Sequence, residues 1–380
     1  MSENEKEKKV TMVLVAIILI LLIVLIVVAR NFSVQEKEKQ ELYNNSLNAE
    51  QQTGVDEQEE FERNIAVVPT MQDEISSNSA WCPTFQLVWN DMQDNLVGGN
   101  VKFKEKIVMV DNLNKQAFKE KDISEEYYYK NFGMMSQTLK EEIEQGIEEK
   151  FAEKSDILDM FEWPSEPAPD KYFFYSMLKR EFEFEKEFKI LDNKNFAQTE
   201  NVEYFGVDSA TSEEVRNQVS VLYYTSEDEF AVNLQTKQGD EVTIVRAPTG
   251  KNFEEILENV ETKESKYKGS KILEETDTLS IPNLDIKALK EYTELENKEF
   301  TLKTKETAFI EKAIQTINFK LNNKGGEIKS EAGMSVVKSA MISQEPRNFD
   351  CDDSFAIFLT EKDKKLPYFA AVIDDINLFK

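Results

Sequence analysis

Apolar positions follow three rhythms along this chain. The first is unbroken: Val10 to Ala29 (VTMVLVAIILILLIVLIVVA) is twenty residues without a charge, the length a helix needs to span a bilayer core. No polar face exists in the run, so a buried helix of a soluble core fits poorly. The Val27-x-Ala29 ending leaves a cleaved signal peptide as the alternative. Lys6, Lys8 and Lys9 precede the span and Arg30, Lys37 and Lys39 follow it, so the positive-inside count is nearly a tie. With so short a tail, the expected reading is a signal anchor, residues 1–9 inside and the long remainder outside.

Residues 30–61 have few large apolar side chains and many Gln, Glu, Asn and Lys. Such a stretch does not bury enough surface to offset chain entropy and reads as a polar stalk. Residues 62–380 then mix the two remaining rhythms, helical and strand-like, which predicts an α+β domain. Trp81 to Met92 has helical spacing with Ser79 as an upstream cap, and Tyr127 to Phe161 predicts one long Glu-rich amphipathic helix. Alternation over Tyr172 to Phe188, ending in Phe182 and Phe184, predicts a half-buried strand. Val219–Tyr224, Ala231–Leu234 and Val242–Val245 are β-rich runs, and Phe253–Val260 returns to helical period. Glu306 to Thr316 predicts a helix and Ile317, Phe319 and Leu321 a strand. Phe355–Leu359 and Tyr368–Ile373 read as a hairpin around the charged turn at Glu361.

Charge and composition then remove possibilities. With 46 Lys+Arg against 73 Asp+Glu the formal charge is −27, and histidine is absent. Ser-His-Asp and Cys-His nucleophilic sites and two-histidine zinc helices therefore have no imidazole to use. Acid outnumbers base with no basic block, which argues against nucleic acid as a partner. Asp350-Cys-Asp-Asp-Ser lacks the alternating ligands and glycine of a calcium loop, so no metal or cofactor is expected. A hydrolase built on two carboxylates distant in sequence is the one enzymatic alternative. Cys82 and Cys351 are too few for a disulfide framework; one bridge or two buried thiols would fit.

Lys324-Gly325-Gly326 lacks the rest of a phosphate-binding loop and reads better as a hinge. There a resemblance begins. Asn322-Asn-Lys-Gly-Gly-Glu resembles the hinge before the reactive loop of the serpin family of protease inhibitors. Phe349-Asp-Cys-Asp-Asp-Ser-Phe-Ala-Ile-Phe-Leu and Leu366-Pro-Tyr-Phe-Ala-Ala-Val-Ile are similar to the two strands that close that fold. Upstream, Glu241-Val-Thr-Ile-Val-Arg-Ala-Pro-Thr-Gly-Lys-Asn-Phe-Glu-Glu-Ile, Ile281-Pro-Asn-Leu and Tyr175 to Phe188 stand in family order. The resemblance covers Trp81 to Ile373 and departs from the pattern at Ser176, Phe182 and Phe184. It implies a serpin-like fold of three β-sheets with surrounding helices, some lost or reduced. It also implies no catalytic residue: a protease cuts the loop, the loop enters a sheet as a new strand, and the protease is trapped.

As a strand, Gly326, Ile328, Ser330, Ala332, Met334 and Val336 share one face, while Glu327, Lys329 and Glu331 share the other. Insertion is expected to bury the first face and leave the charges in water, with Gly325 as the hinge. Only Ile328 is bulky, and overpacking costs about 1–3 kcal/mol. The scissile bond is expected near Lys338, Ser339 and Ala340. The whole reads as a cell-surface inhibitor of an extracellular or cell-surface protease, held in the membrane by residues 10–29. The alternative is a non-inhibitory binding or structural module on the same fold.

Overall fold

Alternating and continuous apolar runs become strands throughout the described part of the chain. The computed structural model describes residues 65–326 and 346–379. Of the two units into which the chain divides, Met1–Glu60 and Phe61–Lys380, all of these belong to the second. The expected tail, membrane helix and stalk (1–9, 10–29 and 30–61) lie outside the described residues, as do Glu327, Ile328, Ser330, Ala332, Lys338, Ser339 and Ala340. Among the described residues no helix is long and apolar enough to cross a membrane.

In chain order, β1 (Ala66–Val67) and β2 (Ser79–Trp81) precede α1 (Thr84–Met92) and α2 (Val108–Leu113). Next come β3 (Tyr128–Met134), α3 (Gln137–Phe151) and β4 (Tyr172–Leu178). Five short strands follow: β5 (Phe182–Glu183), β6 (Lys189–Ile190), β7 (Lys194–Phe196), β8 (Thr199–Val202) and β9 (Tyr204–Val207). The one-turn α4 (Glu213–Arg216) leads into β10 (Val219–Ser226), β11 (Glu229–Gln235), β12 (Glu241–Arg246) and α5 (Phe253–Lys266). The rest is β13 (Thr278–Pro282), β14 (Leu284–Glu291), β15 (Glu299–Thr301), β16 (Thr307–Phe309), β17 (Ile314–Leu321), β18 (Gly325–Gly326), β19 (Asn348–Asp350), β20 (Phe355–Thr360) and β21 (Pro367–Ile373).

Seven strands form one sheet in the order β1-β2-β21-β20-β12-β11-β10, and four form a second, β19-β13-β9-β6. Every residue of β21 is buried, which explains why these strands read as continuous apolar runs: both faces are covered. The third expected sheet is split. β3 pairs with β4 and β14 with β17, and among the described residues no ladder joins the two pairs. Leu139, Ile143 and Ile147 of α3 pack on Phe173 and Tyr175 of β4. On the other side, α1 and α2 pack with Tyr292, Leu295 and Phe300.

Four expectations about local structure are corrected. Tyr127–Phe161 is not one helix: Tyr128–Met134 is strand, and α3 starts only after Ser136, whose hydroxyl caps it by accepting from Leu139 N. Glu306–Thr316 is not helical, because Thr307–Phe309 pairs with Glu299–Thr301 and β17 begins at Ile314. Ser79 is no cap; it pairs with Val372 in the seven-stranded sheet. The strand expected over Tyr172–Phe188 breaks between Leu178 and Phe182, where Arg180 turns inward to an ion pair.

Candidate functional site

The site is the gap in the split sheet. β4 and β17 flank a cavity of about 1610 Å³ that reaches from Tyr172 and Ile314 at one end to Phe182 and Gly326 at the other. Among the described residues each strand is paired on one side only, β4 by β3 and β17 by β14. Facing edges of this kind are open templates for another strand.

At its upper end the gap is already started. β17 turns back through Asn323 and Lys324, with Asn322 N donating to Gly325 O at 3.1 Å and Gly325 N to Asn322 O at 3.2 Å. The returning Gly325 and Gly326 pair antiparallel with Glu183 and Phe182. Gly325 has φ +132°, and a Cβ there would run into the Phe182 carbonyl oxygen; only glycine passes. Phe184 N donates to Lys324 O at 2.9 Å and Phe188 N to Asn323 O at 2.8 Å. β18 thus runs antiparallel to both β5 and the end of β17 at this end of the cavity. Of the sequence-predicted hinge residues, Gly325 and Gly326 are placed here.

One outer face of the gap is crossed by the segment after α3. Tyr175 OH of β4 donates to Ser155 Oγ at 3.4 Å, and Lys179 is ion-paired with Glu153. From the other flank, Asn318 Nδ2 of β17 donates to Asp156 Oδ2 at 3.1 Å and Lys312 Nζ to Met160 O at 3.2 Å. Burial pushes the Tyr175 hydroxyl up to about 12, so it stays a donor. The face of β4 that carries Phe173 and Tyr175 is covered by α3.

Buried charge anchors the surroundings. Arg180, its side chain 2% exposed, pairs with Asp240 at the β11–β12 turn and lies 3.6 Å from Glu361. It stacks on Tyr127 at 3.6 Å, and Tyr368 OH donates to Asp240 Oδ2 at 3.1 Å. Burial pushes the Tyr368 hydroxyl far above its ordinary range. Across the gap, Gln315 Nε2 donates to Cys82 O at 3.0 Å and Thr84 Oγ1 at 2.9 Å, and its Oε1 accepts from Tyr292 OH at 2.7 Å. Beyond residue 345, Arg347 is fixed by Asp277: its N donates to Oδ1 at 2.8 Å and Nη2 to Oδ2 at 2.6 Å. Its other donors go to Tyr267 OH, Ser270 O and Ile272 O.

Sequence reading missed these arginines. Six of the 46 basic residues are Arg, and the four described ones, Arg180, Arg216, Arg246 and Arg347, are all buried side chains. Scarcity was the signal: in a Lys-rich chain the rare guanidinium marks a fixed, many-donor role.

Cys82 and Cys351 are free thiols in the structure. Cys82 follows β2 and lines the gap. Cys351 is held against the four-stranded sheet, its N donating to Ser280 O at 3.0 Å and its O accepting from Tyr204 OH at 3.2 Å. Their anchors lie on different strands, β17 and β13. The acidic stretch beside Cys351 is occupied in pairs, Asp350 with Lys194 and Asp352 with Arg246. Among the described residues no group of His, Cys, Asp or Glu is placed to hold a metal ion.

No family model and no curated protein matches this chain. Among solved structures it is similar to a highly specific serpin, Serpin48, of the insect Tenebrio molitor, at 13% identity and TM-score 0.45, over 80% of this chain and 93% of that one. Human thyroxine-binding globulin is similar at 11% identity and TM-score 0.46, over 78% and 91%. The thermophilic serpin Tengpin is similar at 11% identity and TM-score 0.44, over 81% and 90%.

Proposed function

We propose that this chain is a serpin-like protease inhibitor whose residues 327–336 fill the gap as a new strand once a protease has cut the segment near Lys338, Ser339 and Ala340. One observation carries the reading: ladders extended from the two flanks agree. Continuing the Gly326↔Phe182 register down β4 sets Ile328 opposite Arg180, Ser330 opposite Leu178 and Ala332 opposite Ser176. Continuing the Asn322↔Gly325 bridge down β17 sets the same residues opposite Phe319, Ile317 and Gln315. Gln315 and Ile317 lie on the buried face of β17, and on β4 Phe174 packs with the interior cluster beside α1. Both flanks therefore turn Ile328, Ser330, Ala332, Met334 and Val336 inward.

Length favours the cut. From Phe182 to Tyr172 the gap is about 33 Å at ~3.3 Å per residue, and filling it uses the segment to Val336. The ten steps from Val336 to Pro346 then span about 33–36 Å at full stretch. They would have to return the whole length of the gap and also reach β19, three strands and about 14 Å to the side of β6. Filling with an intact chain would thus need this link fully extended while Arg347 and β19 stay anchored. In the same register Lys338, Ser339 and Ala340 emerge just past Tyr172, so an enzyme acylated there would be carried to the far end of the molecule.

Residues 10–29 would anchor the chain in a membrane with the described domain outside, a placement supported by the uncharged twenty-residue run. A non-inhibitory module is favoured by Ile328, which must pack between Phe319 and the Arg180 stem. The test is incubation of the full chain with trypsin, elastase and subtilisin, followed by denaturing gels. A protease-sized covalent adduct is expected with one of them; clean cleavage with full protease activity would overturn inhibition.

A further inference from the structure

The lower end of the cavity is lined by aromatic rings that the core leaves uncovered. Among the described residues seven large apolar side chains stand exposed, and three of them line this one cavity: Phe132 at 42%, Tyr172 at 44% and Phe309 at 56%. A fourth, Met134, is the ladder partner of Tyr172. Phe132 lies parallel to Phe174 with ring centroids 5.4 Å apart, and Tyr172 and Phe174 share one face of β4 because side chains alternate. Phe309 comes from β16, and the Lys171–Glu311 ion pair at 3.2 Å ties the segment after it to the start of β4. Exposed rings gathered at a cavity mouth mark a ligand surface more than a core.

Charge decides which ligand. Asp170, Glu306 and Glu311 line the cavity here against Lys171 and Lys303, three carboxylates to two ammonium groups on a chain of formal charge −27. Lys171 is taken by Glu311, and the stem of Lys303 lies over Gly98. Such a rim repels anions and concentrates cations. The same cavity already holds one cation against a ring: Lys312, itself paired with Glu291, sets its Nζ 5.8 Å from the centre of the Phe161 ring.

We propose that this end of the cavity binds an organic cation of the quaternary ammonium class, held by the rings of Phe132, Tyr172, Phe174 and Phe309 with Asp170 and Glu306 as counter-charges. Aromatic faces attract a cation through their quadrupole. A quaternary ammonium suits them best because it has no N–H to satisfy, whereas a primary ammonium entering among rings would leave donors without partners. The site is independent of the strand-filling reading, since no residue after Gly326 takes part.

The experiment measures dissociation constants by ligand-observed NMR for the full chain in a non-ionic detergent. The probes are choline, its uncharged carbon isostere 3,3-dimethylbutanol, and the anion 3,3-dimethylbutanoate. Choline is expected to bind about tenfold more tightly than the isostere, as two or more ring faces would give, and the anion not to bind. Phe309→Leu, which keeps apolar bulk at an exposed position, and Tyr172→Leu are each expected to weaken choline about two- to fivefold. Asp170→Asn with Glu306→Gln should weaken it further and flatten its dependence on salt. Ile272→Leu, exposed elsewhere, should change nothing. Phosphocholine separates the sources of the group: binding as tight as choline's supports the site with a lipid headgroup as ligand, and weaker binding supports it with a free cation. Equal affinity for choline and its isostere, or unchanged choline binding in both leucine variants, would overturn the proposal and leave the inhibitor reading untouched.

Discussion

The seven-stranded sheet and the split sheet are built from similar apolar strands, yet one is closed and the other is open. Between β2 and β10 every neighbour is hydrogen-bonded, through β21, β20, β12 and β11. Ala231, Val232, Ile244 and Ile357 are wholly buried there. β4 and β17 instead face each other across a cavity, each with one edge unpaired among the described residues. In the first region the strand edges are paired; in the second two facing edges are unpaired among the described residues. The difference teaches where a conformational change has somewhere to go.

The sharpest break of this comparison is loop cleavage. Filling the gap adds a ladder on both sides at about 1 kcal/mol net per hydrogen bond, so cutting near Lys338 should raise the melting temperature by about 10 °C or more. An unchanged melting temperature would mean that the open edges are no reservoir. Next in size, Ile244→Ala in the closed sheet should cost about 2–5 kcal/mol, by the same amount in cut and uncut chains, measured by denaturant unfolding. Unequal losses would show that the two regions are coupled. Gly325→Ala comes third. Its Cβ meets the Phe182 carbonyl, so we expect a loss of about 1–3 kcal/mol, with β18 peeled from β5 and a slower fall in protease activity during inhibition assays.

Much of this contrast was legible from residue order. The closed sheet announced itself because β10, β11, β12, β20 and β21 are long enough to show β-rich composition, and the hairpin about Glu361 was placed correctly. The turn at Gly325-Gly326 was marked by its glycines, while the segment that follows lies outside the described residues. What was hidden depends on partners far along the chain. Tyr128–Met134 carries residues at intervals that suit a helix, but its register with β4 decides the matter. The same holds for Thr307–Phe309, which pairs eight residues or so upstream. Arg180 sits in a run that alternates like a strand, and only Asp240, sixty residues on, pulls it inward. The gap itself has no local signature, since an absent ladder is a property of two strands and not of either one.

The two cysteines give the smallest effect and a direct report on each region. Cys82 lines the open gap, whereas Cys351 is wholly buried in the main core. Burial pushes the Cys82 thiol up to about 11, opposed by hydrogen bonds with Thr84, and raises Cys351 still further. The thiolate is the reactive form, and a raised value keeps it scarce at neutral pH. Alkylation of Cys82 by a small reagent should therefore be slow at pH 7 and rise about tenfold per pH unit, without a plateau below about pH 11. Cys351 should react only after unfolding. If a strand fills the gap on cleavage, as proposed, the labelling of Cys82 should slow several-fold and that of Cys351 stay as it was. Mass spectrometry of the two peptides, cut and uncut, separates these outcomes. Equal protection of both thiols before cleavage would show the gap to be closed to small molecules, and equal labelling after it would show that no strand has entered.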